Sequence, residues 1–262
     1  MTTRPYLAMI QHSVSADQVS FKEISPDYLY RVQRGNDSFI MHDVEVGLNN
    51  SSSMKLAQSK SGTYSVLHHA GVPAVEHHFL LNNQSRFAKG NAYDLAAKFF
   101  QKHNEKVVLK QDNGSQGVNV FKIETSEDLK AQLSHLFSLQ LNACLSPFYT
   151  STYEYRMIVL KGEVKLLLAK ERLNSWKHNL IGGSRSKDVP TSLIPTLSKM
   201  ATQTAHALQL DFCSVDILDT TTGLLVLEVN EQVMLDEYIK DDPTRKDRVS
   251  AIYREAILER LK

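Results

Sequence analysis

Three polar residues interrupt two apolar, strand-like runs in the last quarter of the sequence. The runs are 213–218 and 224–230. The turn-rich residues between them predict a β-hairpin. Because side chains alternate along a strand, Glu228 and Asn230 share a face, and a hairpin that closes near residue 222 places Asp216 roughly opposite Glu228. Buried carboxylates need a partner or a cation, and an all-oxygen set of ligands suits Mg²⁺. The same pattern also fits a partly exposed hairpin with polar residues at its rim.

A glycine-bearing loop, Gly114-Ser-Gln-Gly117, follows Lys110 and lies between two predicted strands. Glycines allow the backbone to approach a phosphate closely, successive amide N–H groups can cradle it, and the lysine adds a positive charge. An ordinary hairpin turn is the alternative interpretation of these residues. The loop lacks the spacing of a Walker A motif, and the sequence lacks the companion motifs of protein kinases.

Composition excludes several other classes of protein. The chain has 262 residues, 42% of them hydrophobic, and a net charge of +1, which gives no support for nucleic-acid binding. No apolar run approaches the roughly 20 residues that span a bilayer, so no membrane association is expected. The two isolated cysteines, Cys144 and Cys213, predict a reducing, cytoplasmic location. The paired histidines lack the spacing of a zinc protease and are interpreted as surface or structural residues.

Helical and strand-like segments alternate along the chain, which predicts an α+β fold with antiparallel hairpins. Helices are predicted at 54–70, 92–103, 126–139, 191–208 and from Asp242 onwards. Asn91 and Thr125 are the expected caps of the second and third of these. Strands are predicted at 28–32, 38–46, 72–81, 107–109, 118–123, 143–149, 153–160 and 163–169. The last helix is expected to bury one stripe of residues: Val249, Ile252, Tyr253, Ala256 and Ile257.

The order of these features resembles the ATP-grasp superfamily, in particular its carboxylate–amine ligases of the ribosomal-protein glutamate ligase, glutathione synthetase and cyanophycin synthetase type. The resemblance runs from about residue 51 to residue 230. It is carried by the segments SKSGTYSVLHHAGVP, VVLKQDNGSQGVNV, YEYRMIVLKGEV, NLIGG and SVDILDTTTGLLVLEVN. Each segment alone is unspecific, whereas the ordered set is specific.

The resemblance implies a role for individual residues. Those expected to bind ATP are Lys60, Lys110, Ser115, Gln116, Gly117, Pro147, Phe148 and Glu154. Lys60 and Lys110 would contact phosphates, 115–117 would form a lid, Pro147 and Phe148 would hold adenine, and Glu154 would bind ribose. Those expected near the transferred phosphoryl group are Arg156, Arg172 and Asn179. The implied Mg²⁺ ligands are Asp216, Glu228 and Asn230, with Mn²⁺ as an alternative ion.

The implied reaction is the ATP-dependent joining of a small-molecule or peptide carboxylate to an amine through an acyl phosphate. Phosphoryl transfer of this kind depends on charge neutralisation more than on a protein nucleophile. A non-catalytic, nucleotide-binding scaffold and an ATP-grasp small-molecule kinase are the alternatives.

The sequence departs from the family pattern in three places. Gln111 follows Lys110 where proline is usual, and Glu231 to Met234 replace the usual residues after Asn230, on the side that commonly faces substrate. Residues 1–48 are too short for the usual amino-terminal domain, so a homodimer or a partner chain is expected to supply the missing wall. The alternative is a substrate that is a large exposed group, such as a peptide terminus. The expected division is a β-rich segment at 1–48, a helical linker at 49–72, an ATP-binding lobe at 73–148 and a catalytic lobe at 149–262.

Overall fold

The chain begins with a helix and a small antiparallel sheet. The structure is a computed structural model that describes residues 4–114, 117–171 and 185–262. The first elements are α1 (Pro5–Ser13), β1 (Ser20–Ser25), β2 (Leu29–Arg34) and β3 (Asp37–His42). The strands form a meander in the order β1-β2-β3. The prediction of strands alone in this segment therefore missed α1, which starts with a proline in its first turn, where the missing N–H costs nothing.

Two short helices replace the single helix predicted at 54–70. They are α2 (Ser51–Gln58) and α3 (Lys60–His69). Ser59 separates them with an extended backbone (φ −88°, ψ 112°), and its hydroxyl oxygen accepts from the Gly62 N–H. The single-helix prediction was wrong because Asp112, 51 residues further along the chain, accepts from the Ser61 N–H at 2.9 Å and stabilises a new helix start there.

A four-stranded sheet with two helices follows. Its elements are β4 (His78–Leu80), α4 (Ala92–Lys102), β5 (Val107–Gln111), β6 (Val120–Ile123), α5 (Ser126–Ser138) and β7 (Ala143–Pro147). The strand order is β4-β7-β5-β6, and α4 and α5 share an apolar core with one face of the sheet. Asn91 and Thr125 cap the two helices as predicted. Of the strand predicted at 72–81, however, only β4 forms, because Pro73 and Val75 pair instead with Val226 of another sheet.

A five-stranded antiparallel sheet forms the second half of the chain. Its elements are β8 (Tyr153–Leu160), β9 (Glu163–Glu171), β10 (Arg185–Lys187), α6 (Ile194–Leu208), β11 (Phe212–Thr220) and β12 (Gly223–Asn230). The strand order is β10-β9-β8-β11-β12, and both predicted hairpins are present as β8–β9 and β11–β12. One face packs on α6 through an apolar core. The other face carries polar residues near one end and apolar residues near the other.

The amino-terminal elements and the last helix cover that apolar end. The chain ends with α7 (Asp236–Asp241) and α8 (Lys246–Arg260). All five residues of the predicted stripe on α8 are buried. They share one core with Leu7, Ile10, Val32 and Met41 from the first 48 residues and with Leu160 of β8. Within the described residues, no helix is both long and apolar enough to cross a membrane.

Candidate active site

A cavity of about 760 Å³ lies between the four-stranded and the five-stranded sheets. The first sheet contributes Val108 and Lys110 of β5 and Ser146 of β7. The second contributes polar residues from the face that does not pack on α6: Glu154, Arg156, Lys170, Ser214, Glu228 and Asn230. A cavity of this size holds a nucleotide-sized ligand, and its polar groups converge from two separate sheets.

Two lysines form the positive side of the cavity beside the glycine loop. Lys60 is 9% exposed, and its Nζ donates to the Gly114 carbonyl oxygen and, at 3.5 Å, to that of Asp112. Lys110 is 7% exposed, and its ammonium group has no hydrogen bond or ion pair with any described residue. Burial lowers the pKa of Lys110, while the field of Glu228 opposes that change. A buried amine that lacks an anionic partner is suited to bind an anionic ligand.

Three buried charged side chains and the partly buried Arg156 form a network on the floor of the cavity. The Arg156 guanidinium donates two hydrogen bonds to the Asp216 carboxylate, at 2.7 and 2.5 Å. Lys170 Nζ donates to Asp216 at 3.3 Å and also to Glu154. The antiparallel register explains the cluster, because Arg156 lies opposite Asp216 and Glu154 lies opposite Lys170. The network therefore places two cations and two carboxylates on adjacent strands.

Burial and charge act in opposite directions on the two carboxylates. Burial alone would raise the pKa of Asp216, but the positive charges of Arg156 and Lys170 outweigh it and lower that pKa. At Glu154 burial is the larger effect and raises the pKa, although Lys170 partly compensates. Asp216 is therefore the anion that holds the two cations in place, and Glu154 is the residue that takes up a proton more readily.

Glu228 and Asn230 form the part of the predicted metal site that faces the cavity. The Glu228 carboxylate makes no hydrogen bond or ion pair with the described residues, and Asn230 lines the cavity beside it. A carboxylate oxygen and an amide oxygen are ligands of the type that Mg²⁺ and Mn²⁺ prefer. The buried Nδ2 atom of Asn230 has no partner among the described residues and is free to donate to an oxygen of a ligand. Asp216 lies opposite Glu228 as predicted, but its oxygens are engaged by Arg156 and Lys170. No three acidic, histidine or cysteine side chains of the described residues form a metal-binding group.

The remaining predicted residues lie at the edges of the cavity or outside the described part of the chain. Gly117, Pro147 and Phe148 line the cavity, and the Phe148 N–H donates to the Lys106 carbonyl oxygen at 3.0 Å. That N–H is therefore already used within the sheet. Glu154 lines the cavity while bonded to Lys170. Four predicted residues lie outside the described residues: Ser115, Gln116, Arg172 and Asn179.

The sequence interpretation missed Lys170 and Asp112. Lys170 is 4% exposed and bridges two buried carboxylates. Its signal was present, because the predicted strands 153–160 and 163–169 are separated by two residues only, and a hairpin closed by them places this lysine nearly opposite Glu154. Asp112 accepts from the Ser59 hydroxyl at 2.6 Å and from the Ser61 N–H, and so ties the glycine loop to α3. No local pattern indicates that contact.

We expect Arg156→Met to lower the free energy of unfolding by about 3 kcal/mol, because it leaves a buried carboxylate with one cation fewer. Arg254→Met is the matched control. Arg254 makes the same two-bond contact with Asp17, at 2.7 and 2.5 Å, but its side chain is 51% exposed. That exposed pair should contribute at most about 1 kcal/mol. Urea unfolding measures both values, and equal losses in the two variants would contradict the buried network.

Solved structures define the fold class. The chain resembles a D-alanine–D-alanine ligase from Bacillus anthracis in complex with ATP, with a TM-score of 0.60 and 15% identity over 81% of this chain and 67% of that one. It also resembles a D-cycloserine synthetase, with a TM-score of 0.62 and 16% identity over 79% of this chain and 71% of that one. An ATP-grasp ligase, PsnB, is similar to the same degree, with a TM-score of 0.58 and 15% identity over 82% of this chain and 63% of that one. The shared architecture confirms the predicted α+β ATP-grasp fold.

Sequence comparison defines the family within that class. The profile of the RimK-like ATP-grasp domain matches residues 57–247, and the chain belongs to this family. A relative from Haemophilus ducreyi, named as a probable alpha-L-glutamate ligase, is 29% identical over 188 residues, which are 70% of this chain and 57% of that protein. A relative of the same name from Coxiella burnetii is 26% identical over 144 residues, 54% of this chain and 46% of its own length. The chain therefore spans only about half the length of these relatives.

Proposed function

We propose that this protein is an ATP-dependent carboxylate–amine ligase. The observation that carries the proposal is the division of charge in the cavity. Lys110 is buried and has no anionic partner at one side, and Glu228 has no cationic partner across from it, among the described residues. An ATP polyphosphate with its metal ion satisfies both groups at once, because the phosphates pair with the lysine and the cation pairs with the carboxylate.

The nucleotide is expected to lie between the two sheets. Lys60 and Lys110 would bind its phosphates, and the backbone of the glycine loop would cover them. Lys60 Nζ already donates to the carbonyl oxygens of Gly114 and Asp112, so nucleotide binding would add an anionic partner to two neutral ones. Pro147 and Phe148 lie at the edge of β7 where an adenine would pack, and Lys122 lies 4.7 Å from the centre of the Phe148 ring.

Glu228 and Asn230 would hold the divalent ion. Asp216 would become a third ligand only after Arg156 releases it and pairs with another anion. When bound, the ion neutralises phosphate charge and orients the phosphoryl group for in-line transfer. Arg156 and Lys170 carry the positive charge nearest to this end of the cavity. Because they are already fixed by Asp216, they would stabilise negative charge in the transition state with little reorganisation.

The proposed chemistry has two steps. An oxygen of the substrate carboxylate attacks the γ-phosphorus of ATP, ADP leaves, and an acyl phosphate forms. The amine then attacks the acyl carbon, inorganic phosphate leaves, the amine loses a proton, and an amide results. Enclosure of the bound substrates between the two sheets would protect the acyl phosphate from hydrolysis. The names of the relatives make glutamate the first substrate to assay as either the acid or the amine.

Hydroxylamine trapping tests this proposal. Protein, ATP and Mg²⁺ are incubated with pools of amino acids and peptides that include glutamate, and ADP, phosphate and hydroxamates are measured. A ligase releases ADP and phosphate in equal amounts and yields a hydroxamate of one carboxylate substrate. A kinase yields ADP and a stable phosphorylated product without free phosphate. Nucleotide binding without any substrate-dependent ADP release would contradict an enzymatic role and favour a scaffold.

A further inference from the structure

The segment that follows the predicted metal strand lines part of the cavity. Residues 231, 232 and 234–238 all contribute to this lining, and we call residues 231–238 the post-β12 wall. Its first five residues have no helical or strand hydrogen bonding. Such a segment keeps one conformation only where other parts of the chain hold its backbone.

Tyr6 of α1 and Asn49, just before α2, hold that backbone. The Tyr6 hydroxyl oxygen accepts from the Leu235 N–H at 3.1 Å. The Asn49 side chain donates to the Glu231 carbonyl oxygen at 3.2 Å and to that of Phe212 at 2.7 Å. Its amide oxygen also accepts from two N–H groups at the start of β11. Asn49 therefore fixes the end of β12 relative to the start of β11.

The helix α8 completes the support through a second tyrosine. The Tyr253 hydroxyl donates to the Val233 carbonyl oxygen, and the Tyr6 and Tyr253 rings meet edge to face with centroids 5.9 Å apart. Val233 and Leu235 are each 2% exposed and pack in the core that contains α1 and the first sheet. Leu235 also lines the cavity, so one residue separates the amino-terminal core from the substrate space.

We propose that Tyr6 and Asn49 are positioning residues for the non-nucleotide substrates. The amino-terminal segment holds the post-β12 wall at the distance from Glu228 and Asn230 where a carboxylate or an amine must lie to react. A displacement of the wall at Leu235 changes how these substrates are placed and leaves Lys110, on β5 of the other sheet, unaffected. This inference rests on the proposed ligase function.

Tyr6→Phe tests the inference, because it removes the hydroxyl group and keeps the ring in the core. Tyr30→Phe is the matched control: Tyr30 is 2% exposed in the same core, and its hydroxyl bonds to Glu23, away from the cavity. Two readouts are compared for both variants: hydrogen exchange of the Leu235 amide, with the Leu145 amide in β7 as internal reference, and the KM values for ATP and for each co-substrate.

In Tyr6→Phe, the Leu235 amide should exchange about tenfold faster, as expected for one lost hydrogen bond. The KM of a non-nucleotide substrate should rise by about fivefold or more while the KM for ATP stays within about twofold. Tyr30→Phe should change neither. Unchanged exchange at Leu235, or equal changes in all KM values, would overturn the inference. The exchange measurement needs no turnover and tests the contact between Tyr6 and Leu235 by itself. A wild-type protein that releases no ADP would refute the ligase function, and the exchange result would still show whether Tyr6 holds the wall.

Discussion

Replacing Glu228 with glutamine should lower kcat by about three orders of magnitude while the fold is retained. Glutamine preserves the shape of the side chain and removes the charge that faces the cavity. Because the metal ion neutralises phosphate charge in the transition state, loss of its anionic ligand should reduce the rate far more than it reduces nucleotide affinity. Steady-state ADP release, measured over a range of Mg²⁺ concentrations, gives both effects.

Glu163→Gln is the control for that variant. Glu163 lies on the same sheet, at the turn between β8 and β9, but its side chain is 74% exposed and pairs with Lys165. Its replacement should leave kcat within about twofold, since exposed ion pairs contribute little. A Glu228→Gln protein that retains more than a tenth of wild-type turnover would show that the metal is held elsewhere.

Lys110→Met should weaken ATP binding by about 30-fold or more and should stabilise the unliganded protein. The variant removes a buried ammonium group that has no anionic partner among the described residues, so the ligand loses a charge-assisted contact worth about 2 kcal/mol. The empty protein in turn no longer bears the cost of desolvating that charge. Isothermal titration with a non-hydrolysable ATP analogue and urea unfolding give the two quantities.

Lys102→Met is the corresponding control, because Lys102 is 60% exposed on α4 and pairs with Glu76. Both ATP affinity and stability should stay close to wild type in this variant. If Lys110→Met binds ATP as tightly as Lys102→Met, the four-stranded sheet does not provide the phosphate site.

Elements with a strong local pattern could be predicted from the sequence. The stripe on α8 follows a helical repeat, and the turn before Gly223 closes the β11–β12 hairpin with Thr220 opposite Gly223. Both patterns are set by neighbours in the chain, which is why the sequence alone contains them. A shift of register between Asp216 and Ile217 then places Asp216 opposite Glu228, whereas the turn alone would pair it with residue 227. The ordered motifs then indicated the ATP-grasp fold, which the structural comparison confirms.

Contacts between distant segments could not be predicted. The break at Ser59 depends on Asp112, and the short β4 depends on Val226, whose backbone hydrogen-bonds to that of Pro73 and Val75. In the candidate site, the engagement of Asp216 by Arg156 depends on the pairing of β8 with β11, two strands that are not joined by a hairpin. Local composition at residue 216 indicates a cation partner but cannot distinguish a metal ion from an arginine.

The domain boundaries, the partner chain and the roles of the individual site residues stay predictions. The partner chain was expected to supply a wall of the substrate site. The post-β12 wall is an alternative source of that wall, because it shares a core with the first 48 residues.

A crystal structure with Mn²⁺ and a non-hydrolysable ATP analogue is the most direct test of the nucleotide site, because anomalous scattering locates the metal independently of the atomic coordinates. We predict a manganese peak about 2.2 Å from oxygens of Glu228 and Asn230, with the phosphates beside Lys60 and Lys110 and the adenine at Phe148. A nucleotide or a metal ion bound outside the cavity between the two sheets would contradict this account.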